Sequence, residues 1–215
     1  MNELLRISSP VSEPWTAWVM LALLICLLWA AQRQHGLFLQ ACNAVFGSTR
    51  RAYNDVTTDT LSLLLTDLFT CGSVALTVMM TVRDEQPFLL RTYGLTLLLV
   101  LAAMFLSNLL TWVLNYVFRF DRNSGEEPVR LSGRLAFLAA FLCYPLTMLA
   151  VQFGMSRALL IILCVIAAAW LILLMTKAIQ RYTAQPRHVA YALIYVLTVH
   201  MLPLLAVLYA AHHFA

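Results

Sequence analysis

The chain has 215 residues, of which 62% are hydrophobic and 11% charged, and its formal net charge is +4. Soluble domains contain roughly 45–50% apolar and about 25% charged residues, so this composition excludes an ordinary soluble protein and indicates a single domain embedded in a lipid bilayer. The five cysteines show no disulfide or metal-site spacing, and we interpret them as small apolar side chains.

Six apolar runs have the length of membrane-spanning helices, because a bilayer core of about 30 Å takes about 20 helical residues. Their approximate bounds are 15–31, 61–82, 94–118, 135–151, 159–175 and 189–211. The fourth and fifth runs are short and nearly adjacent, which predicts a tight helical hairpin. A five-span alternative, with part of this pair re-entrant, stays open. The sequence therefore predicts an all-α, polytopic transmembrane helix bundle with six spans.

The connection between the first two spans carries a short amphipathic segment. In GLFLQACNAVFGSTRRAYNDV, residues 36–56, apolar side chains recur near helical spacing and Arg50 and Arg51 follow them. This pattern is typical of a short helix at the cytoplasmic interface, with its arginines toward anionic headgroups. The apolar positions are Leu37, Phe38, Ala41, Val45 and Phe46.

The second span contains one charged residue, Asp67. An ionised carboxylate in hydrocarbon costs at least about 2.5 kcal/mol, so we expect Asp67 to face protein, to be protonated or to line a wet cavity. Small hydroxyl residues also recur every three or four positions, which predicts a face that packs closely against neighbouring helices. They are Ser62, Thr66, Thr70, Ser73, Thr77 and Thr81.

The third span has four polar residues on one helical stripe, namely Asn108, Thr111, Asn115 and Arg119. Because the second and third spans run antiparallel about a turn near Pro87, this stripe offers hydrogen-bond partners to Asp67. Arg119 joins them if its side chain turns inward. One interpretation is a buried polar clasp between the two helices. The other is a protonatable site on a transport path.

The third connection, DRNSGEEPVRLSGR at residues 121–134, is the densest polar segment. Its glycines and Pro128 predict a turn. We interpret its mixed charges as a solvated turn, and the alternative is a docking site for a soluble partner.

The last span contains His200, about twelve residues from its start. Pro203 removes the helix hydrogen bond to the carbonyl of Val199, which predicts a kink and a polar notch beside His200. A neutral histidine bonded at that notch is one interpretation, and a water-bridged pair with Asp67 is the other. Pro145 predicts a similar kink in the fourth span.

The basic residues predict how the chain is threaded. With six spans, ten of the 14 lysines and arginines fall on one side of the membrane and four on the other. Because basic residues are retained on the cytoplasmic side, both termini are predicted to be non-cytoplasmic. The predicted location is a bacterial cytoplasmic (inner) membrane.

The segment YVLTVHMLPLLAVLY, residues 195–209, resembles the end of an uncharacterised family of small polytopic inner-membrane proteins from Bacteroidota, a domain of unknown function. That family closes with a tyrosine, a threonine, an acidic residue and Leu-Pro-Leu. Here Tyr195, Thr198 and the Leu-Pro-Leu at 202–204 match, whereas His200 stands in the acidic position. The segments 38–55 and 144–154 are similar too. The resemblance implies the topology and location above but no activity.

No catalytic motif such as HExxH, GxSxG or a phosphate-binding GxxxxGK is present, so we expect no enzyme activity and no cofactor. The scattered basic residues offer no platform for nucleic acid. We expect the lipid bilayer and a membrane-protein partner, or a second copy of the chain, as interaction partners. The leading hypothesis is an accessory or scaffold subunit. The alternative is a small proton-linked carrier that uses Asp67 and His200.

Overall fold

The structure, a computed structural model, is built from helices that pack side by side. It describes residues 13–34, 36–46, 60–82, 90–118, 126–154, 156–182, 197–201, 203, 205–207 and 209. Almost all of these residues are helical.

The described part of the chain has six α-helices with continuous bounds and one π-helical turn, which is followed by α-helical residues at 203, 205–207 and 209. They are α1 (Pro14–Arg33), α2 (Leu37–Phe46), α3 (Thr60–Val82), α4 (Leu90–Phe118), α5 (Glu126–Phe153), α6 (Arg157–Tyr182) and the π turn Leu197–Met201. All of the α-helices except the ten-residue α2 are long and apolar enough to cross a bilayer, which makes five candidate spans in the described residues. The chain is therefore a multi-pass membrane protein, and nearly all of the residues that the structure describes are helical.

The described helices cover the first five predicted spans, and two of them extend well beyond the predicted bounds. The apolar windows of α5 and α6 are Ser132–Phe153 and Arg157–Lys177, 22 and 21 residues long, and each suffices for a full crossing. The predicted turn at 121–134 is wrong in its second half, because α5 begins at Glu126. Pro128 is compatible with this start, since the first turn of a helix needs no backbone N–H donor there. The sixth predicted span, 189–211, lies mostly outside the described residues.

Helix α3 is the centre of the bundle. In its apolar window, 61% of the residues are buried, against 11% for α6. It packs against α1, α4 and α5, while α2 and α6 both pack on α5 and the π turn packs on α4. Ser62 lies opposite Ala30, so α1 and α3 are antiparallel, whereas Thr77 lies beside Thr147 on the parallel helix α5. These directions agree with successive crossings of a membrane.

An aromatic cluster joins α2, α3 and α5. Phe69 of α3 is fully buried, and its ring centroid lies 5.9 Å from that of Phe137 and 5.5 Å from that of Tyr144. Phe38 of α2 extends the cluster, with its centroid 4.8 Å from that of Phe141. Tilted aromatic pairs at these distances are favourable beyond the apolar area that they bury.

Two glycines make the sharp turns between helices. Gly36, between α1 and α2, has φ 86°, and Gly154, between α5 and α6, has φ 84°. Glycine adopts this left-handed backbone without the steric cost that other residues bear. The turn at Gly154 closes the predicted hairpin between the fourth and fifth spans.

Candidate functional site

Asp67 is a half-buried residue on the face of α3 that points toward α4. Cys71, one helical turn later on the same face, contacts Met104 of α4. On the neighbouring face, Leu64 and Leu68 are 62% and 43% exposed. Among the described residues, none makes a hydrogen bond or an ion pair with the Asp67 carboxylate. Asp67 thus lies at the border between the α3–α4 contact and the outside of the bundle.

Asp67 makes no hydrogen bond with those residues of the polar α4 stripe that the structure describes. Thr111 is 1% exposed, and its hydroxyl donates to the carbonyl of Ser107 at 2.8 Å, one turn earlier in its own helix. Asn108 is half-buried and makes no hydrogen bond with Asp67. The side chain of Asn115, and Arg119 altogether, lie outside the described residues, so their pairing with Asp67 stays a prediction.

The small hydroxyl residues of α3 are buried or half-buried, as their spacing predicts. Most of their hydroxyls bond back to carbonyls of α3, as in the 2.7 Å bond from Thr70 to the carbonyl of Thr66. Short side chains that satisfy themselves in this way let neighbouring helices approach closely. The stripe is accordingly a packing face, with cross-helix bonds at only some of its positions.

One of these cross-helix bonds lies where α1, α2 and α3 meet. The hydroxyl of Ser62, which is fully buried, donates to Oε1 of Gln34 at 3.0 Å. Nε2 of Gln34 donates in turn to Oε1 of Gln40 on α2 at 2.7 Å. The backbone N–H of Gln34 donates to the carbonyl of Ala30 at 2.9 Å. The Gln34 side chain therefore ties the end of α1 to both following helices.

The second cross-helix bond joins α3 to α5. The hydroxyl oxygens of Thr77 and Thr147 are 2.9 Å apart. Each hydroxyl also lies within hydrogen-bonding distance of a carbonyl of its own helix: Thr77 is 2.8 Å from the carbonyl of Ser73, and Thr147 is 2.9 Å from that of Cys143. Two hydroxyls carry two protons, so at most two of these three bonds form at once. The pair holds the helices together while leaving neither oxygen unsatisfied.

The geometry places these polar contacts between helices and assembles no catalytic set. Groups of three or more His, Cys, Asp or Glu side chains able to hold a metal ion are absent from the described part of the chain.

The comparison with known families identifies a domain of unknown function, DUF4271, whose profile matches residues 16–211. The chain belongs to the DUF4271 family. No curated protein and no solved structure matches it.

The match to DUF4271 covers the described helices except the first two residues of α1. It agrees with the resemblance of the chain to an uncharacterised domain family. With five candidate spans in the described residues, this DUF4271 member is an integral membrane protein of unknown activity.

The two prolines singled out from the sequence have different surroundings. Pro203 is buried and lies two residues after the π turn Leu197–Met201, a widened helical turn of the kind often found where a helix is irregular. Pro145 lies inside α5, which continues unbroken to Phe153. The backbone of His200 belongs to the π turn, but its side chain lies outside the described residues.

Several residues that hold the bundle together gave little signal in the sequence. Tyr144 is 6% exposed and donates a 2.7 Å hydrogen bond to the carbonyl of Met20, which joins α5 to α1. The hydroxyl of Tyr93 likewise lies 3.4 Å from the carbonyl of Gly72. A buried tyrosine hydroxyl usually finds some hydrogen-bond partner, but a tyrosine in an apolar run is compatible with many neighbours, so the sequence does not identify the partner.

Proposed function

We propose that this DUF4271 member is a non-enzymatic accessory or scaffold subunit that packs against another component of a bacterial cytoplasmic membrane. The observation that carries the proposal is where its buried and half-buried polar groups bond. Ser62, Thr77 and Tyr144 each bond to a neighbouring helix of the bundle. Polar groups used in this way fix the positions of helices, and a fixed bundle is what a scaffold needs.

The least covered helices supply the surface for such a partner. On α6, Ile161, Val165 and Ile172 are each more than 60% exposed. The outer face of α4 is similarly apolar, with Phe105 71% exposed. In a membrane these faces contact lipid tails or apolar helices of other subunits, including a second copy of the chain.

The proposal includes six spans, with α2 at the cytoplasmic interface and both termini on the opposite side. Supporting it, Leu37 and Ala41 of α2 are buried, while Leu39 and Phe46 are 66% and 87% exposed. A short helix directly after the end of a span, with polar Asn43 exposed beside these apolar side chains, suits a place between headgroups and acyl chains. The resemblance of residues 195–209 supports the inner membrane of a Bacteroidota species.

Crosslinking and pull-down from native membranes test the scaffold role. We expect a membrane partner in fixed stoichiometry after mild detergent extraction, and we expect Asp67→Asn to retain it. Gln32→Ala, which alters an exposed side chain near the end of α1, is a matched surface control. Recovery of the chain alone from crosslinked membranes would contradict the proposal.

The second candidate is a small proton-linked carrier that uses Asp67 and His200. It is favoured by the absence of a hydrogen bond to Asp67 among the described residues, and by the π turn that contains His200. Acids at membrane depth often mark ion pathways. In this case Asp67→Asn would abolish a pH-dependent flux in proteoliposomes while the protein remained folded and inserted, which the scaffold role does not predict.

A further inference from the structure

One face of α3 is exposed at the start of the helix and enclosed further along. Leu61, Leu64 and Leu68 are spaced three and four residues apart, so they share this face, and all three are exposed. Ala75, which follows Leu68 by two helical turns on the same face, is fully buried. The cover over this face of α3 is therefore missing along the first half of the helix.

The exposed leucines lie between α1 and α4, which meet near their first residues. The ring centroids of Trp15 on α1 and Tyr93 on α4 are 5.8 Å apart, and the Tyr93 hydroxyl lies 3.4 Å from the carbonyl of Gly72 on α3. Both helices pack on α3, whereas in the described part of the chain they have little contact with each other. The leucines thus form the floor of a cleft between α1 and α4, closed at the level of Gly72 and open toward the start of α3.

The open end of this cleft carries an arginine. Trp29 and Arg33 follow Trp15 by about four and five helical turns, so they share the face of α1 that contacts α4, and both side chains are exposed. Because Ser62 lies opposite Ala30, the end of α1 is beside the start of α3. The mouth of the cleft is therefore positively charged, while its floor is apolar.

The length of the cleft favours a lipid chain as its occupant. The helix rises about 16 Å between Leu61 and Gly72, which is about half of the 30 Å hydrocarbon core of a bilayer. A partner helix that crosses the membrane follows a bundle over its whole height, whereas an acyl chain from one leaflet ends near the midplane. The arginine at the mouth adds a preference for lipids with a negative headgroup.

We propose that the cleft between α1 and α4 binds one anionic phospholipid. Its acyl chain lies over Leu64 and Leu68, and its phosphate pairs with the guanidinium of Arg33, which can donate two parallel hydrogen bonds to phosphate oxygens. The lipid belongs to the leaflet in which α3 begins. This site does not depend on the accessory role, because its ligand is a lipid and not a protein partner.

Native mass spectrometry of the purified, delipidated full-length protein, titrated with phosphatidylglycerol or with zwitterionic phosphatidylcholine, tests the headgroup contact. We expect one phosphatidylglycerol per chain, bound more tightly than phosphatidylcholine. Arg33→Gln should weaken phosphatidylglycerol binding by about fivefold and reduce the preference for it. Arg157→Gln, which alters an exposed arginine at the start of α6, is the matched control and should bind like the wild type. Unchanged affinity in Arg33→Gln, or an equal loss in the control, would overturn the contact with Arg33.

Leu64→Trp tests the cleft itself, because the larger side chain occupies the space of the acyl chain. Lost contact with two or more methylene groups should weaken binding of both lipids by about tenfold or more. Ile161→Trp on α6 is the matched control, since Ile161 is 61% exposed and Leu64 is 62% exposed, and it should have no effect. Full binding by Leu64→Trp, or an equal loss in Ile161→Trp, would overturn the cleft as the binding site.

Leu64→Cys distinguishes a lipid from a second copy of the chain in the cleft. Oxidation in native membranes should yield no more disulfide-linked dimer than the wild type yields. A large increase in dimer would place a second copy over Leu64 and overturn the proposal. If Leu64→Trp does not purify as a monodisperse species, the loss of phosphatidylglycerol preference in Arg33→Gln decides.

Discussion

Gly72 allows α1 to pack closely against α3. A Cβ atom at this position would overlap the side chain of Leu23 on α1 and would lie 3.3 Å from the hydroxyl of Tyr93 on α4. Leu23 is buried, so its side chain has little room to move aside. One missing side chain thus permits contacts to two neighbouring helices.

We therefore expect Gly72→Ala to destabilise the protein, because overpacking a core costs about 1–3 kcal/mol and the gain in helix propensity offsets only about 1 kcal/mol. Thermal stability in detergent, measured by fluorescence-detected size exclusion, gives the result. Gly94→Ala on α4 is the control, since no atom lies within 4 Å of the added Cβ, and it should be neutral or stabilising. Because Leu23→Ala removes the overlapping side chain, adding Gly72→Ala to it should cost less than Gly72→Ala costs in the wild type. A Gly72→Ala protein as stable as Gly94→Ala would refute the explanation.

The sequence predicted which residues are buried where helical periodicity alone determines the face they share. The spacing of Ser62, Thr66 and Thr70 defines one face of α3, and that face is buried. The partner of Asp67 could not be predicted in the same way, because it depends on the rotation of α4 and on where each α4 side chain bonds. Thr111 illustrates the difficulty, since its hydroxyl is turned toward its own helix.

Helices are predicted best where the bilayer sets their length. Apolar runs mark the part of each helix that crosses the membrane, and α3 at Thr60–Val82 nearly coincides with its run at 61–82. Helices α5 and α6 extend further, because backbone hydrogen bonding continues through polar residues beyond the apolar core. Which helices become neighbours does not follow from their lengths, so the packing of α2 on α5 was not predictable from the sequence.

The position of α2 depends on Gln34, whose side chain bonds to Ser62 on α3 and to Gln40 on α2. We expect Gln34→Ala to loosen α2 selectively, with backbone amides of Leu37–Phe46 exchanging about tenfold faster, equivalent to about 1.4 kcal/mol. Hydrogen–deuterium exchange with mass spectrometry measures this. The exposed Gln32 provides the control variant Gln32→Ala, which should leave the exchange of α2 unchanged. An equal increase in the exchange rate of α6 peptides would instead indicate general destabilisation, and would contradict a local role of Gln34 in holding α2.

At the scale of the whole molecule, α3 is surrounded by helices whose directions alternate. Its neighbour α1 is antiparallel to it, and α5 is parallel to it, with one full span between α3 and α5 in the chain. The junction of Gln34 and Ser62 therefore lies at the same end of the bundle as the start of α5. This is the end where the sequence places ten of the 14 basic residues.

The proposed orientation of the bundle rests on these charges and on the proposed six spans. With six crossings and the basic end in the cytoplasm, a reporter after Ala215 is on the non-cytoplasmic side, so fused alkaline phosphatase should be active and fused green fluorescent protein dark. The same reporters placed after Arg122, in the connection between α4 and α5, should give the opposite pattern. Because five crossings would put the two fusion sites on one side of the membrane, the pair of measurements tests the sixth span as well as the orientation. A fluorescent fusion at both sites would exclude the six-span topology, whereas inverted results at both would preserve the span count and overturn only the assignment of the basic end to the cytoplasm.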